Sequence, residues 1–138
     1  GTGYYENEKY AKKLVDGRPL SEANFYSPEA LKAIITNARK ICGDKPLATN
    51  ILYAMNDYGR VVRDACEAGI DIIITGAGLP TNMPEFTEGY PDVALVPIVS
   101  SAKALKIICK RWKGRYNRLP DAVVLEGPKS GGHQGFSY

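Results

Sequence analysis

The chain has 138 residues, 44% of them hydrophobic and 24% charged, with a formal net charge of +3. This length suffices for one hydrophobic core, and the composition is that of an ordinary soluble protein. The longest unbroken apolar runs are far shorter than a membrane span and no signal peptide is visible, so we expect a cytoplasmic protein without a membrane partner.

The three cysteines, Cys42, Cys66 and Cys109, form no CxxC pair, and their odd number argues against a disulfide framework. Each falls inside a predicted helix or at its end, so we interpret them as buried thiols in a reducing compartment. Scattered cysteines and a single histidine do not make up a zinc site, and we expect no metal.

Periodicity and capping residues predict alternating helices and strands. Ser27, Pro28 and Glu29 form a typical helix start, and Ser100-Ser101 is most simply the cap of another helix. The predicted helices are 5–15, 28–43, 56–69, a short one at 83–88, and 100–112; the predicted strands are 46–52, 70–74, 92–99 and 121–126, the last with a buried apolar run.

The strands recur roughly every two dozen residues and are apolar throughout, which is typical of parallel β/α units. A doubly wound sheet and a (β/α)8 barrel both fit this pattern. Four strands with their helices are about half of a barrel of about 250 residues. Because the chain begins without a start methionine and stops at Tyr138, we expect residues 1–138 to be a single partial domain, half of a TIM barrel cut at both ends.

Small or polar residues follow each predicted strand, and in a parallel sheet all four strand ends lie at one edge, where ligands bind. Asn50 interrupts an apolar strand, so its amide, if buried, needs either a planar ligand or neighbouring backbone as a partner. Gly76 and Gly78 allow close approach of a phosphate or a flat ring, or form a plain turn. They lack the third glycine of a dinucleotide fingerprint.

The only histidine, His133, lies in the glycine-rich loop 127–135 after the fourth strand. Its imidazole can titrate near neutral pH and act in catalysis, although a lone histidine is often a surface or packing residue. The basic cluster 110–115 falls where a helix should end, where cations are favourable, so we do not expect a nucleic-acid partner. Tyrosines 53, 58 and 90 suit packing better than base stacking.

Three stretches carry a family resemblance. The loop Gly-Pro-Lys-Ser-Gly-Gly-His-Gln-Gly at 127–135 resembles the (E)AGGHxG signature of the nitronate monooxygenases, once called 2-nitropropane dioxygenases. Residues 71–80 resemble the strand and GAG-x-P loop of that family, and residues 97–102 are similar to its next strand end. The match is collinear from about Ala48 to the end, with the N-terminal Gly-Thr-Gly also in place.

This resemblance implies an FMN-dependent TIM barrel that oxidises nitronates or nitroalkanes with dioxygen. In that family, His133 would be the base that takes the α-proton of the nitroalkane, or would orient the substrate over the flavin. Asn50 would contact the isoalloxazine, Glu126 would lie against it, and Gly131 would contact it through backbone. The cofactor-binding candidates are Asn50, Gly76, Glu126, Ser130, Gly131 and Gly132.

Departures from the family pattern leave the substrate open. Glu126 stands where glutamine is usual, Lys129 where glutamate often occurs, and Ser130 where alanine is common. The same motif resembles flavin-dependent enoyl-acyl carrier protein reductase II, and a non-catalytic module for a phosphorylated small molecule is a third alternative. Barrel phosphate sites usually follow strands 7–8, so we expect these 138 residues alone to be inactive and, with exposed strand edges, to be able to form a homodimer.

Overall fold

The computed structural model describes residues 27–131, so the predicted helix 5–15 lies outside the described part of the chain. Helices and strands alternate along it. They are α1 (Pro28–Cys42), β1 (Ala48–Leu52), α2 (Tyr58–Glu67), β2 (Ile72–Gly76), a 3₁₀ helix (Met83–Thr87), β3 (Ala94–Val99), α3 (Ala102–Tyr116) and β4 (Val124–Leu125). None of the helices within 27–131 combines the length and apolar character needed to cross a membrane.

All four strands are parallel, and their order in the sheet is β1-β2-β3-β4. Each strand therefore pairs with the next strand along the chain, always in the same direction across the sheet. A doubly wound sheet reverses this direction at its switch point, whereas a β/α barrel does not. The order thus favours the barrel over the doubly wound alternative, as an arc of four strands with alternating helices.

Serine caps fix the starts of two helices, as predicted. The Ser27 hydroxyl oxygen accepts the backbone N–H of Ala30 at 3.2 Å, and the Ser101 hydroxyl oxygen accepts that of Ala104 at 3.2 Å. Each cap satisfies one backbone donor of the first helical turn, which has no partner inside the helix. Helix α1 ends at Cys42 and is capped by Gly43, whose positive φ of 61° is readily adopted by glycine.

The core lies between one face of the sheet and the helices. Ile51, Ile73 and Leu95 on three neighbouring strands are completely buried there. Helix α3 adds Trp112, which is also completely buried and donates its indole N–H to the carbonyl of Pro80 at 2.9 Å. This hydrogen bond ties the segment after β2 to α3 and satisfies the one polar atom of the indole.

Two aspartates bind neighbouring strands together at the edge where the strands begin. Asp71 accepts the backbone N–H of Leu47 at 2.7 Å and the guanidinium of Arg39 at 2.5 Å. The Arg39 hydrogen bond, followed by that from Leu47, holds the pKa of Asp71 below its usual value. Asp121 repeats the arrangement by accepting the N–H of Leu95 at 2.7 Å. Side chains thus stabilise the edge of the sheet where the strands begin.

The fourth strand differs most from the prediction. It spans only Val124–Leu125, where 121–126 was predicted, and the expected burial is wrong: Val124 is 38% and Leu125 is 72% exposed. Strand β4 pairs with β3 alone, and within 27–131 no further element covers it. Apolar sequence predicted a strand here, but burial depends on the neighbours that a strand acquires.

Three smaller predictions also need correction. Strand β2 is 72–76 and not 70–74, because Thr75 and Gly76 continue the pairing with β1. The short helix predicted at 83–88 is a 3₁₀ helix of five residues, a form common in such short pieces. All three cysteines are free thiols, but only Cys66 is buried, whereas Cys42 and Cys109 are half-buried. Burial raises the pKa of the Cys66 thiol to about 11.

Candidate functional site

A cleft of about 300 Å³ opens at the edge of the sheet where the strands end. Every strand contributes to its wall, either directly or through the residue that follows it. The lining residues are Asn50, Leu52, Gly76, Ala77, Ile98, Glu126 and Gly131. The convergence of strand ends that parallel topology predicted is therefore present, and four of the proposed cofactor-binding residues meet in one place.

Asn50 presents an available amide to this cleft. It lies on the open face of β1 and is exposed, whereas the next residue, Ile51, is completely buried on the helix side. Its side chain makes no hydrogen bond to any other residue in 27–131. The sequence left open whether backbone or a ligand would satisfy a buried Asn50. Because Asn50 is exposed, its amide retains both its donors and its acceptor for a ligand.

The loop at the end of β2 has a backbone that side chains would disturb. A Cβ added to Gly76 would lie 2.8 Å from Cδ1 of Ile98, and one added to Gly78 would lie 2.7 Å from Cδ1 of Tyr53. Gly78 has φ of 139°, and Ala77 between the two glycines also has a positive φ, 56°. Such a conformation is uncommon for a residue with a Cβ and is typical of functional loops.

Two tyrosines form hydrogen bonds to the last residues of β2, where this loop begins. The backbone N–H of Tyr53 donates to the carbonyl of Gly76 at 2.8 Å, and its hydroxyl donates to Oδ1 of Asn82 at 2.9 Å. The buried hydroxyl of Tyr58 shares a 3.2 Å hydrogen bond with Oγ1 of Thr75. The two tyrosine rings meet edge to face with centroids 4.9 Å apart. Both tyrosines therefore have the packing role expected from the sequence, and Tyr53 supports the wall of the cleft at Gly76.

The Tyr58 hydroxyl is suited to a structural role rather than to proton transfer. Burial raises the pKa of Tyr58 far above its usual value, although the hydrogen bond with Thr75 opposes the shift. The side chain therefore stays neutral throughout the physiological range. Tyr90 likewise packs against the hydrophobic core.

The stretch after β4 brings Glu126 and Gly131 to the cleft. The backbone N–H of Glu126 donates to the carbonyl of Val99 at 2.8 Å and so extends the pairing of β3 with β4. A turn follows, in which the N–H of Ser130 donates to the carbonyl of Gly127 at 3.1 Å. Ser130 thus directly precedes a lining residue, while Gly132 and His133 lie outside the described residues.

Three lining residues were not anticipated. Leu52 and Ile98 give the cleft an apolar wall, and their signal was available in the sequence: Leu52 lies two residues beyond Asn50 and so on the same face of its strand. In the structure, Val96 is in register with Ile74, and Ile74 with Asn50. Ile98 lies two residues beyond Val96 and is therefore on that face as well. Ala77 carried no comparable signal apart from its place between two glycines.

A family model described as nitronate monooxygenase matches residues 1–138. Comparison with curated protein sequences gives no match. Among solved structures, FabK from Thermotoga maritima superposes with a TM-score of 0.67 and 26% identity, over 82% of this chain and 33% of that chain. A methionine-to-alanine variant of the same protein gives 0.67 and 26%, over 80% and 35%. The chain spans about a third of the length of these relatives.

Proposed function

The chain belongs to the nitronate monooxygenase family, and from this membership we propose that it is part of an FMN-dependent oxidoreductase that oxidises alkyl nitronates with dioxygen. The family and its FabK relatives are FMN-dependent flavoenzymes. When bound, the flavin supplies the redox chemistry, so the protein needs chiefly to position it and to provide a proton-transfer group. The observation that carries the proposal is the single cleft shared by Asn50, Gly76, Glu126 and Gly131.

The cleft suits a flavin ring in both shape and chemistry. Leu52 and Ile98 offer apolar surface to a flat ring, and the Asn50 amide can both donate to and accept from the polar edge of an isoalloxazine. Gly76 has no side chain to keep the ring away from the backbone. The volume lies at the lower end of the range for small-molecule sites, about 300–1,000 Å³, which suits a ring system better than a whole nucleotide.

We assign the proton transfer to His133. A nitronate has already lost the proton on the carbon that bears the nitro group, so a base is required when the substrate is the neutral nitroalkane, and an imidazole titrates near neutral pH. His133 follows the lining residue Gly131 by two positions in the sequence. A positioned general base typically accelerates a reaction about 10²–10⁴-fold. We expect His133→Asn to retain flavin and to lose about that much activity toward nitroalkanes.

Glu126 gives this site a feature of its own. An ionised carboxylate in the cleft disfavours the gain of electrons by a ring bound beside it. We therefore expect Glu126→Gln to raise the reduction potential of the bound flavin in the full-length protein, measured by redox titration against a reference dye. Lys129→Gln, which alters the neighbouring loop, is the control, and an unchanged potential in Glu126→Gln would contradict this role.

A second function is supported by the structural neighbours. FabK is enoyl-acyl carrier protein reductase II, and it is similar in fold to 82% of this chain. The corresponding reaction would take electrons from a nicotinamide donor and pass them to an enoyl thioester. The cleft serves a flavin equally well in either reaction, so the electron donor is what distinguishes the two functions.

The test uses the full-length protein and its visible spectrum. Flavin absorbance is expected on purification or after FMN is added; its absence in both cases would contradict both oxidoreductase functions and favour a non-catalytic module. The FMN-loaded protein is then mixed anaerobically with a propyl nitronate or with NAD(P)H. Bleaching by the nitronate supports nitronate oxidation, whereas rapid bleaching by NAD(P)H alone, followed by reoxidation with an enoyl thioester, supports the reductase.

A further inference from the structure

Helix α3 carries six basic residues and no acidic residue. The chain as a whole holds 18 lysines and arginines against 15 aspartates and glutamates. Outside α3, therefore, 12 basic residues face all 15 acidic ones, and the rest of the chain is net negative. The basic residues of α3 are Lys103, Lys106, Lys110, Arg111, Lys113 and Arg115.

Two of these cations have a partner among the described residues: Lys113 donates to Oδ1 of Asn117 at 2.7 Å, and the Arg115 guanidinium lies 5.5 Å from the centroid of the Tyr116 ring. All six are exposed, and within 27–131 none of them forms an ion pair. Lys106 and Lys110 are four residues apart, as are Arg111 and Arg115, a spacing at which like charges repel along a helix. A favourable interaction with the helix C-terminus accounts for Lys113 and Arg115 in the last turn but not for Lys103 in the first turn, where the helix dipole disfavours a cation.

Part of this basic surface lines a groove of about 500 Å³ between α3 and the segment after β2. Both sides of the groove provide hydrogen-bond donors. Asn82 uses its Oδ1 to accept from the Tyr53 hydroxyl, which leaves its amide hydrogens to face other partners. No aspartate or glutamate lines the groove. The polar lining residues are Thr81, Asn82, Lys110, Arg111 and Arg115, and the others are Ile107 and Gly114.

We propose that this groove binds a phosphate-bearing small molecule, an organic diphosphate. Arginine guanidinium groups suit phosphate because they donate two parallel hydrogen bonds, and Lys110 adds a point charge. Ile107, 37% exposed, offers apolar contact to the organic part. The groove is concave and of a volume ordinary for a ligand, which favours a small molecule over a protein surface. It shares no lining residue with the cleft at the strand ends, so this site is independent of the proposed function.

Inorganic pyrophosphate is the probe, titrated into the full-length, FMN-supplemented protein by calorimetry at fixed ionic strength. The double variant Arg111→Gln/Arg115→Gln is expected to weaken binding about tenfold or more, because it removes the two bidentate donors. Lys103→Gln/Lys106→Gln is the matched control: it removes two charges from the same helix outside the groove lining, and its affinity should stay within about twofold of wild type. Far-UV circular dichroism and the flavin spectrum should be the same for both variants.

Three outcomes would overturn the proposal. The first is that the wild-type protein does not bind pyrophosphate. The second is that both double variants lose affinity equally, since binding would then follow the net charge of α3 and not the groove. The third is that a polyglutamate peptide or a DNA oligonucleotide binds the wild type while pyrophosphate does not compete with it, since the basic surface would then serve a macromolecule.

Discussion

At the scale of single residues, alternate side chains of one strand have opposite roles. Ile51 is completely buried in the core, while Asn50 beside it is exposed at the cleft. Tyr58 lies close to both environments, since its ring packs in the core and its hydroxyl meets the buried Thr75, the residue before the lining residue Gly76. This side chain therefore stabilises the core directly beneath the end of β2.

Removing the Tyr58 hydroxyl tests this connection. Tyr58→Phe keeps the ring but leaves the buried Thr75 hydroxyl without this partner, so we expect a loss of about 1–2 kcal/mol in the free energy of unfolding. Urea denaturation of the full-length protein measures it. Tyr116→Phe is the control, because the hydroxyl of Tyr116 bonds the exposed Glu85 and should contribute much less. Equal losses in the two variants would contradict a special role for the buried hydroxyl.

Asp71 should make stability depend on pH. Its pKa is lowered in the folded protein by Arg39 and Leu47, so its contribution is fully present above the unfolded value of about 3.9 and is lost as pH falls through the lower folded value. We expect the urea midpoint of the wild type to fall as the pH is lowered from about 4 through the folded pKa of Asp71. Asp71→Asn should fall less over that range, and the two profiles should converge at the acidic end. Parallel profiles would show that other carboxylates are responsible.

At the scale of elements, the sequence was most informative where structure is decided locally. Ser27 and Ser101 were identified as caps because a hydroxyl followed by a helical pattern needs only its own next three residues. The prediction that β4 is buried was wrong, because the burial of a strand depends on the elements that pack beside it. The convergence at the cleft could be predicted from parallel topology, but the positive φ of Ala77 and the support from Tyr53 could not, since both arise from tertiary contacts.

The loop after β2 can be tested against a glycine of another kind. In Gly78→Ala, the added Cβ meets Tyr53 at 2.7 Å in a backbone with φ of 139°, so we expect a loss of about 1–3 kcal/mol in stability and weaker FMN binding. Gly114 lies within α3 and has open space around it. Gly114→Ala should therefore stabilise the protein by up to about 1 kcal/mol through helix propensity. Urea unfolding and FMN titration measure both variants, and a harmless Gly78→Ala would contradict the strained-loop account.

At the scale of the whole molecule, the two edges of the sheet have different tasks. The edge where strands begin is bound together by Asp71 and Asp121, whose carboxylates each accept one backbone N–H at the start of a neighbouring strand. The edge where strands end has glycines, an available amide and a carboxylate around a cleft. This separation of stability from ligand binding is the one found in β/α barrels, and here four strands are enough to produce it.

The side of the sheet at β4 leads to a prediction about association. Strand edges with unpaired backbone groups and exposed apolar side chains pair readily with another chain, and Leu125 on β4 is 72% exposed. We expect residues 1–138, produced alone, to self-associate at micromolar concentration in sedimentation velocity, and Leu125→Lys to shift them toward monomer because a charge at the edge opposes pairing. Leu119→Lys is the matched control, since Leu119 is 51% exposed but precedes the strand. If both lysine variants dissociate the chain equally, general apolar contact and not the edge of β4 is responsible; if only Leu125→Lys does so, β4 is where a further strand or a second copy joins the sheet.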